Sequence, residues 1–187
     1  MRANKAVFLD RDNTVIVDME FSTDPAGLQP FPGALEALRR LQAAGWLLVI
    51  VTNQSGVARG RFSESDLRAF HEQMNRMLEG QGVRVAGVYY CPHYRQGSVP
   101  EYSFDCDCRK PQPGMLLRAA REHGIDLKGS WMVGDRPADI GAGRAAGCRT
   151  IRVGSADWTG SDERPDFETP DLAAAADIIL GKNASHA

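Results

Sequence analysis

Short apolar runs alternate with longer amphipathic segments along this chain, and the alternation predicts strands that alternate with helices. Apolar runs typical of buried strands occur at 6–9, 47–51, 85–90, 131–133 and 150–153. Helices are predicted where apolar side chains recur every three or four positions, at 32–44, from Ser63 onward, at 114–123 and at 138–146. We therefore expect an α/β fold with a doubly wound, mainly parallel (Rossmann-like) sheet.

The carboxyl-terminal part of the chain has weaker patterns. Residues 154–169 are polar and contain Gly and Pro, which predicts a long surface loop. The short apolar run at 176–180 predicts an edge strand, and residues 182–187 predict a frayed tail. With 187 residues, the chain 1–187 is expected to form a single domain.

Two aspartates, Asp10 and Asp12, follow the first apolar run directly. In an extended chain, side chains two positions apart point to the same side, so these aspartates should share a face while Arg11 points away. Ligands of parallel sheets bind beyond the carboxyl ends of the strands. One carboxylate could act there as a nucleophile, and the other could donate and accept a proton. The alternative is that both aspartates only cap turns.

Three further polar clusters follow this one along the chain. They are Thr52-Asn53-Gln54-Ser55-Gly56, Arg109-Lys110-Pro111 and Gly134-Asp135-Arg136-Pro137-Ala138-Asp139. Together with Asp10-Arg11-Asp12-Asn13-Thr14, they resemble the four ordered motifs of the haloacid dehalogenase (HAD) superfamily. The resemblance extends over residues 5–153.

This resemblance implies a phosphatase that works through an aspartyl-phosphate. It implies Asp10 as the nucleophile and Asp12 as the acid and base, with Thr52 and Lys110 in the catalytic set. Mg²⁺ is the implied cofactor, because a carboxylate that attacks a phosphate dianion needs charge cancellation. The implied ligands of Mg²⁺ are Asp10, the backbone carbonyl of Asp12, Asp135 and, weakly, the backbone of Arg136. Asp139 is expected to orient the site.

Three of the four cysteines lie in one loop, residues 91–108. Cys-x-His followed by Cys-x-Cys offers three thiolates and one imidazole, which is a complete tetrahedral set for structural Zn²⁺. The predicted zinc ligands are Cys91, His93, Cys106 and Cys108. A disulfide is a poorer interpretation, because three clustered cysteines leave one unpaired and the chain is expected in the cytoplasm. Cys148 is expected to be a plain buried residue.

The cysteine loop narrows the resemblance to two groups of the superfamily. Tyr89-Tyr90-Cys91-Pro92-His93 and the later Cys106-Asp107-Cys108-Arg109-Lys110-Pro111 are similar to heptose bisphosphate phosphatases, and histidinol-phosphate phosphatases share the loop. Gln96-Gly97-Ser98 favours the heptose group. The implied reaction is Mg²⁺-dependent hydrolysis of a sugar 7-phosphate in nucleotide-heptose biosynthesis. Enzymes of this group lack a cap domain, so the zinc loop is expected to help cover the site.

The same resemblance implies substrate contacts. Lys110 is the implied cation on the phosphoryl oxygens, and Thr52 and Asn53 are the implied hydrogen-bond donors. Arg109 carries a planar fork suited to a second phosphate. The other implied substrate contacts are Arg11, Asp18, Met19, Glu20, Phe21, Gln54 and Ser55.

Two places depart from the family pattern. Asn13 stands where the family has glycine, which suggests a left-handed backbone that Asn is able to adopt, so we expect activity to survive. The segment 18–21 lacks the family's Gly-Tyr at its last two places, which leaves the preferred anomer open.

Composition narrows the possible partners. The chain is 43% hydrophobic and 25% charged with a net charge of −2, which gives no reason to expect nucleic acid or an anionic membrane as a partner. No apolar run approaches the ~20 residues of a membrane helix. Because the first predicted strand begins close to residue 1, we expect no signal peptide. We expect a cytoplasmic monomer that acts on a phosphorylated sugar. His71, His123 and His186 are not expected to be catalytic.

Two other function classes remain. The first is a non-enzymatic zinc-binding interaction module, which would bind zinc and show no Mg²⁺-dependent phosphatase activity. The second is a phosphotransferase or polynucleotide 3′-phosphatase of the same superfamily. A nucleic-acid substrate would call for a basic groove, and the charge balance argues against one.

Overall fold

Strands and helices alternate through most of the chain in the computed structural model, which describes residues 3–155, 158 and 161–182. The strands are β1 (Ala6–Leu9), β2 (Leu47–Asn53), β3 (Gly87–Cys91), β4 (Trp131–Gly134), β5 (Arg149–Val153) and β6 (Phe167–Thr169). The helices are α1 (Ala34–Ala43), α2 (Glu64–Gly80), α3 (Gly114–His123), α4 (Pro137–Ala146) and α5 (Leu172–Ile179). Two 3-10 turns lie at Pro25–Gly27 and Pro100–Tyr102.

The six strands form one parallel sheet in the order β3-β2-β1-β4-β5-β6. Strand β1 is central, with Leu9 beside Ile50 of β2 and Val133 of β4. The carboxyl ends of these three strands therefore meet at one edge, and the polar clusters that follow them are brought together.

Alternate residues of the strands pack against helices on the two faces of the sheet. Val7 and Leu9 lie in a core with α1, α2 and α5, whereas Ala6 and Phe8 lie in a second core with α3 and α4. All four residues of β1 are fully buried, as expected for a parallel strand covered on both faces. The predicted doubly wound α/β fold is confirmed.

The two long insertions near the carboxyl edge of the sheet contain no cap domain. Residues 10–33 connect β1 to α1, residues 92–113 connect β3 to α3, and each insertion contains one 3-10 turn. The second insertion holds most of the cysteine loop. Within the described residues, these two insertions thus add only loops and 3-10 turns, as expected for a capless protein.

Most predicted elements agree with the structure within a few residues, and two predictions near the carboxyl terminus are wrong. The segment 176–180 was expected to be an edge strand but falls mainly in α5, which begins after Asp171 caps the amide of Ala174. A run of alanines favours this helix. The edge strand is β6, inside the predicted loop 154–169. Residues 156, 157, 159, 160 and the predicted tail 183–187 lie outside the described residues.

Among the described residues, no helix has both the length and the apolar character needed to span a membrane.

Candidate active site and metal centres

A cavity of about 600 Å³ lies at the carboxyl edge of the sheet. It is lined by most of the predicted site residues, namely Asp10, Arg11, Asp12, Asp18, Glu20, Phe21, Thr52, Asn53, Gln54, Ser55, Arg109, Lys110 and Arg136. Asp139 also lines it. Asp135 lines a neighbouring cavity of about 470 Å³ together with Asn13 and Thr14.

Met19 is the predicted substrate contact that does not line this cavity. Its terminal methyl lies 2.7 Å from where a Cβ on Gly27 would stand, and its partly buried side chain packs against the hydrophobic core. The prediction that Met19 contacts substrate therefore has no support in this structure.

A buried ammonium joins two carboxylates in the centre of the site. Nζ of Lys110 donates to Oδ1 of Asp10 at 2.7 Å, lies 2.6 Å from Oδ1 of Asp139, and donates to the carbonyl of Val51 at 2.8 Å. Burial alone would favour the neutral amine, but the charges of Asp10 and Asp139 hold the pKa of Lys110 above its usual value. Lys110 is therefore a fixed positive charge beside the predicted nucleophile.

Asp135 has a buried carboxylate oxygen, Oδ1, that no group in the described residues hydrogen-bonds. Burial, together with the nearby charge of Asp10, raises the pKa of Asp135 to about 6. Carboxylate oxygens of Asp10, Asp135 and Asp139 lie within 4.8 Å of one another. An unpaired buried carboxylate of this kind fits a hard divalent cation, which prefers oxygen ligands.

Asp139 is less suited than Asp135 to bind a cation. Its Oδ1 contacts Lys110, and its Oδ2 accepts a hydrogen bond from the backbone amide of Arg136 at 2.9 Å. Both oxygens are therefore used in fixing the loop after β4. This arrangement agrees with the expectation that Asp139 orients the site.

Asp12 is held by a side chain that was expected to point away from it. Nε of Arg11 lies 3.0 Å from Oδ1 of Asp12, and Nη2 donates to Oδ1 and Oδ2 at 2.8 and 3.1 Å. The strand alternation that predicted otherwise ends at Leu9, because the chain turns where the amides of Val15 and Ile16 bond to the carbonyl of Arg11. The prediction for Arg11 was wrong for this reason.

A second donor fixes Asp12 from β2. Nε2 of Gln54 donates to Oδ2 of Asp12 at 3.0 Å and to Oγ1 of Thr52 at 2.8 Å. Burial raises the pKa of Asp12, while the charge of Arg11 acts against this rise. Asp12 is thus a multiply bonded carboxyl group with a side chain 15% exposed, suited to holding and releasing a proton.

Asn53 binds the backbone of Lys110 with both ends of its side-chain amide. Its Oδ1 accepts from the amide of Lys110 at 3.0 Å, and its Nδ2 donates to the carbonyl of Lys110 at 3.0 Å. Asn53 therefore positions Lys110. Because Nδ2 carries two N–H groups, donation of the second to a phosphoryl group stays a prediction.

Two neighbours of Asp135 were not predicted from the sequence. Nε1 of Trp158 donates to the backbone carbonyl of Asp135 at 2.9 Å, and Asn13 lines the same cavity as Asp135. No motif marks Trp158. Asn13 could have been found, because the left-handed backbone expected there is observed, with a φ of 56°.

The four predicted zinc ligands lie together. Sγ of Cys106 is 3.5 Å from Sγ of Cys91 and 3.2 Å from Sγ of Cys108, and Nδ1 of His93 is 3.7 and 3.4 Å from Cys91 and Cys108. Tetrahedral zinc with bonds of about 2.0–2.3 Å requires ligand separations of roughly 3.3–3.8 Å. The donor set and its spacing therefore fit such an ion. Cys148 is buried far along the chain in the core beside α4.

Arg109 lies at the rim of the cavity and is fixed by the cysteine loop. Its Nη1 donates to the carbonyl of His93 at 3.1 Å, and its guanidinium lies 5.0 Å from the centre of the Tyr94 ring. The guanidinium of Arg59 lies 4.2 Å from the same ring and 5.8 Å from that of Phe21. These contacts link the cysteine loop to the segment that contains Phe21.

That segment, 18–21, forms the opposite rim. The carboxylate of Asp18 accepts from the amide of Glu20 at 2.9 Å and lies 3.5 Å from Nη2 of Arg136. Glu20 and Phe21 have positive φ values of 43° and 65°, a conformation that glycine adopts more readily. The departure from the family pattern thus places two side chains on a strained turn beside the cavity.

Comparisons with known proteins agree with this site. Residues 107–179 match the family described as HAD-hydrolase-like. A D-glycero-beta-D-manno-heptose-1,7-bisphosphate 7-phosphatase of Pasteurella multocida is 50% identical over 142 residues, covering 76% of this chain and 77% of that protein. The protein of the same name from Escherichia coli K12 is 42% identical over 178 residues, covering 94% and 87%.

A solved structure of similar fold gives the same family. It is the D,D-heptose 1,7-bisphosphate phosphatase from B. bronchiseptica complexed with magnesium and phosphate, with a TM-score of 0.80 and 35% identity over 95% of this chain and 99% of that chain. The chain described here belongs to the D-glycero-beta-D-manno-heptose-1,7-bisphosphate 7-phosphatase family of the HAD-like hydrolases.

Proposed function

We propose that this protein hydrolyses the 7-phosphate of D-glycero-beta-D-manno-heptose 1,7-bisphosphate with the help of Mg²⁺, in nucleotide-heptose biosynthesis. The observation that carries the proposal is the buried trio of Asp10, Lys110 and Asp139 beside the orphan oxygen of Asp135. It combines a nucleophile, a fixed positive charge and a cation site in one cavity. The names of the relatives identify the substrate.

The reaction would proceed in two displacements at phosphorus. Asp10 attacks the phosphoryl group, so that a bond from its carboxylate oxygen to phosphorus forms while the bond to the sugar oxygen breaks, and Asp12 donates its proton to that sugar oxygen. Water then attacks the aspartyl-phosphate and gives its proton to Asp12, which releases inorganic phosphate and restores Asp10. Both carboxyl groups end as they began.

Mg²⁺ fits the cation site because the residues there offer oxygen ligands. Asp10, the backbone carbonyl of Asp12 and Asp135 would hold it, with the backbone of Arg136 nearby. Bound there, it would cancel charge between the attacking carboxylate and the phosphate oxygens. The solved relative with magnesium and phosphate supports this choice of ion.

Zn²⁺ is the proposed ion of the cysteine loop, bound by Cys91, His93, Cys106 and Cys108. Three thiolates and one imidazole form a closed structural site with no open position for substrate. Thiolate ligands persist in a reducing compartment, which supports a cytoplasmic location. A monomer is the proposed oligomeric state.

Substrate binding would use both rims of the cavity. Lys110 and Thr52 would bind the transferred phosphoryl group, and Arg109 would bind the second phosphate of the bisphosphate. Arg11 and Gln54 would act through Asp12, and Asp18, Glu20, Phe21 and Ser55 would contact the sugar. A small phosphorylated sugar fits a cavity of about 600 Å³, and no nucleic-acid or membrane partner is proposed.

The test is a phosphate-release assay with both anomers of the bisphosphate and with histidinol phosphate. We expect the beta anomer to be preferred, EDTA to stop turnover and Mg²⁺ to restore it. Asp10→Asn should fold and release no phosphate, because an amide does not attack phosphorus. A preference for histidinol phosphate, or full activity of Asp10→Asn, would contradict the proposal.

A further inference from the structure

A buried network extends from Asp12 into helix α2. Arg11 and His71 are 4% and 5% exposed, and Nη1 of Arg11 lies 3.1 Å from Nε2 of His71. Because a guanidinium only donates hydrogen bonds, Nε2 of His71 accepts here and the ring proton is on Nδ1. Burial and the charge of Arg11 lower the pKa of His71 to about 3, so the imidazole is neutral near pH 7.

These contacts fix the plane of the guanidinium. His71 holds Nη1, Asp12 holds Nε and Nη2, and the ring of Phe70 lies 5.2 Å from the guanidinium carbon. The ring of His71 is itself packed 5.4 Å from that of Tyr90 on β3. Since a guanidinium is rigid and planar, holding one nitrogen sets the direction of the edge that carries the other two.

We propose that His71 is a positioning residue for Asp12, acting through Arg11 to set the orientation of the carboxyl group that transfers the proton. The proposal rests on the phosphatase function proposed above. His71 does not touch the reacting atoms, and Arg11 lies between it and Asp12. Its loss would leave Nη1 of Arg11 buried without this acceptor, and the guanidinium would turn toward another partner.

The expected defect is specific to proton transfer. The sugar oxygen needs a proton from Asp12 when it leaves phosphorus, whereas the phenolate of p-nitrophenyl phosphate leaves without one. The ratio kcat/KM covers the steps up to formation of the aspartyl-phosphate. A misplaced Asp12 should therefore lower kcat/KM for the heptose bisphosphate and leave that for p-nitrophenyl phosphate nearly unchanged.

The experiment compares four variants on these two substrates. His71→Phe keeps a ring against Tyr90 and removes the acceptor, and His71→Leu repeats the test with a smaller side chain. His71→Gln restores an acceptor at the distance of Nε2. Met74→Ala, one turn further along α2 and fully buried, controls for general loosening of the core.

For His71→Phe and His71→Leu we expect kcat/KM for the bisphosphate to fall about 10- to 100-fold, the scale of a misplaced catalytic group. His71→Gln should recover most of this loss, and Met74→Ala should change both substrates alike. The inference would be overturned if folded His71→Phe or His71→Leu kept the wild-type ratio of kcat/KM for the bisphosphate to kcat/KM for p-nitrophenyl phosphate. It would also be overturned if His71→Gln were as impaired as His71→Phe. If the wild-type protein were inactive on both substrates, this result would contradict the proposed function, and the inference about His71 would lose its basis.

Discussion

Asn13 has an unusual backbone conformation in the loop that carries both proposed catalytic aspartates. Its φ is 56°, and it lines the same cavity as Asp135. Left-handed backbone costs most L-residues roughly 1–2 kcal/mol, and Asn tolerates it better than most. The residue therefore supports the turn that carries the two aspartates.

Asn13→Ala should destabilise the protein by about 1 kcal/mol, because alanine adopts this backbone poorly. Asn13→Gly should come within a few tenths of a kcal/mol of the wild type, since glycine adopts this backbone freely. Urea denaturation of the metal-free proteins measures the difference. If Asn13→Ala and Asn13→Gly lost the same free energy of unfolding, this result would contradict the backbone explanation.

Asp135→Asn should abolish activity and yet stabilise the metal-free protein above pH 6. The folded-state pKa of Asp135 is about 6 against an ordinary 3.8, so the folded chain binds more protons than the unfolded chain between these values. Stability is therefore lost as the pH rises through this window. Allowing for partial solvation, the gain in the variant is roughly 1–2 kcal/mol.

Thermal unfolding at pH 4 and pH 7 in EDTA tests this prediction. The variant should gain stability over the wild type at pH 7 and not at pH 4. Saturating Mg²⁺ should reverse the order at pH 7, because only the wild type has the full carboxylate set. A variant less stable than wild type at pH 7 in EDTA would contradict the buried-charge argument.

Contiguous motifs made Asp10, Asp12 and Asp135 predictable, whereas contacts between distant residues were not. Arg11 and His71 are 60 residues apart, and Asn53 and Lys110 are 57 apart. No local pattern joins such pairs. A signal for His71 did exist, because it stands within the apolar stripe of α2, where a buried histidine needs a hydrogen-bond partner.

At the scale of elements, the central strands, strand β6 and helix α5 show what hydrophobic periodicity does and does not decide. The central strands were predicted because both their faces are buried, which gives continuous apolar runs. Strand β6 has only three residues, two of them exposed, and therefore lacks such a run. Helix α5 begins in an alanine-rich stretch, and a short apolar segment of this kind fits a strand and a helix equally.

The cysteine loop, residues 91–108, is the element that joins the proposed zinc centre to the rim of the cavity. The ring of Tyr94 in this loop lies near the guanidinium groups of both Arg59 and Arg109. Cation–π contacts of this kind contribute about 0.5–2 kcal/mol.

Tyr94→Leu should therefore raise KM for the bisphosphate about three- to tenfold, with little change for a small monophosphate. Tyr94→Phe keeps the ring and should behave as wild type; loss in both variants would implicate the hydroxyl instead.

Loss of one zinc ligand should affect this loop and leave the sheet intact. Cys108→Ser should lower the metal content below one ion per chain and lower the melting temperature, because ligand binding supplies order that the loop lacks otherwise. Cys148→Ser lies in the core away from the loop and should retain the metal. Elemental analysis and proteolysis measure both effects, and full zinc content in Cys108→Ser would contradict the ligand assignment.

At the scale of the whole molecule, the sheet order decides the chemistry. Strand β1 lies between β2 and β4, so loops far apart in sequence meet over one cavity. Counting Asp135, the site holds six carboxylates, namely Asp10, Asp12, Asp18, Glu20, Asp135 and Asp139, against four cations, namely Arg11, Arg109, Lys110 and Arg136. Its formal charge is negative, and a phosphate dianion is repelled unless a divalent cation is present.

Inorganic phosphate should accordingly raise the melting temperature only in the presence of Mg²⁺. At about 100 times its dissociation constant, a ligand adds roughly 2.7 kcal/mol of stability, which corresponds to a shift of several degrees for a chain of this size. Sodium chloride at equal ionic strength is the control. An equal shift in EDTA would show that the charge balance does not govern binding.

The hydrogen bonds of Lys110 have a consequence for selectivity. Its ammonium donates to Asp10 and to the carbonyl of Val51 and forms an ion pair with Asp139, so a phosphoryl oxygen that binds it must compete with these acceptors. If the phosphoryl oxygen displaces Asp10, the arriving group frees an oxygen of the proposed nucleophile. Electrophiles that bring no phosphoryl group leave this contact of Asp10 intact, and we expect them to react slowly with it.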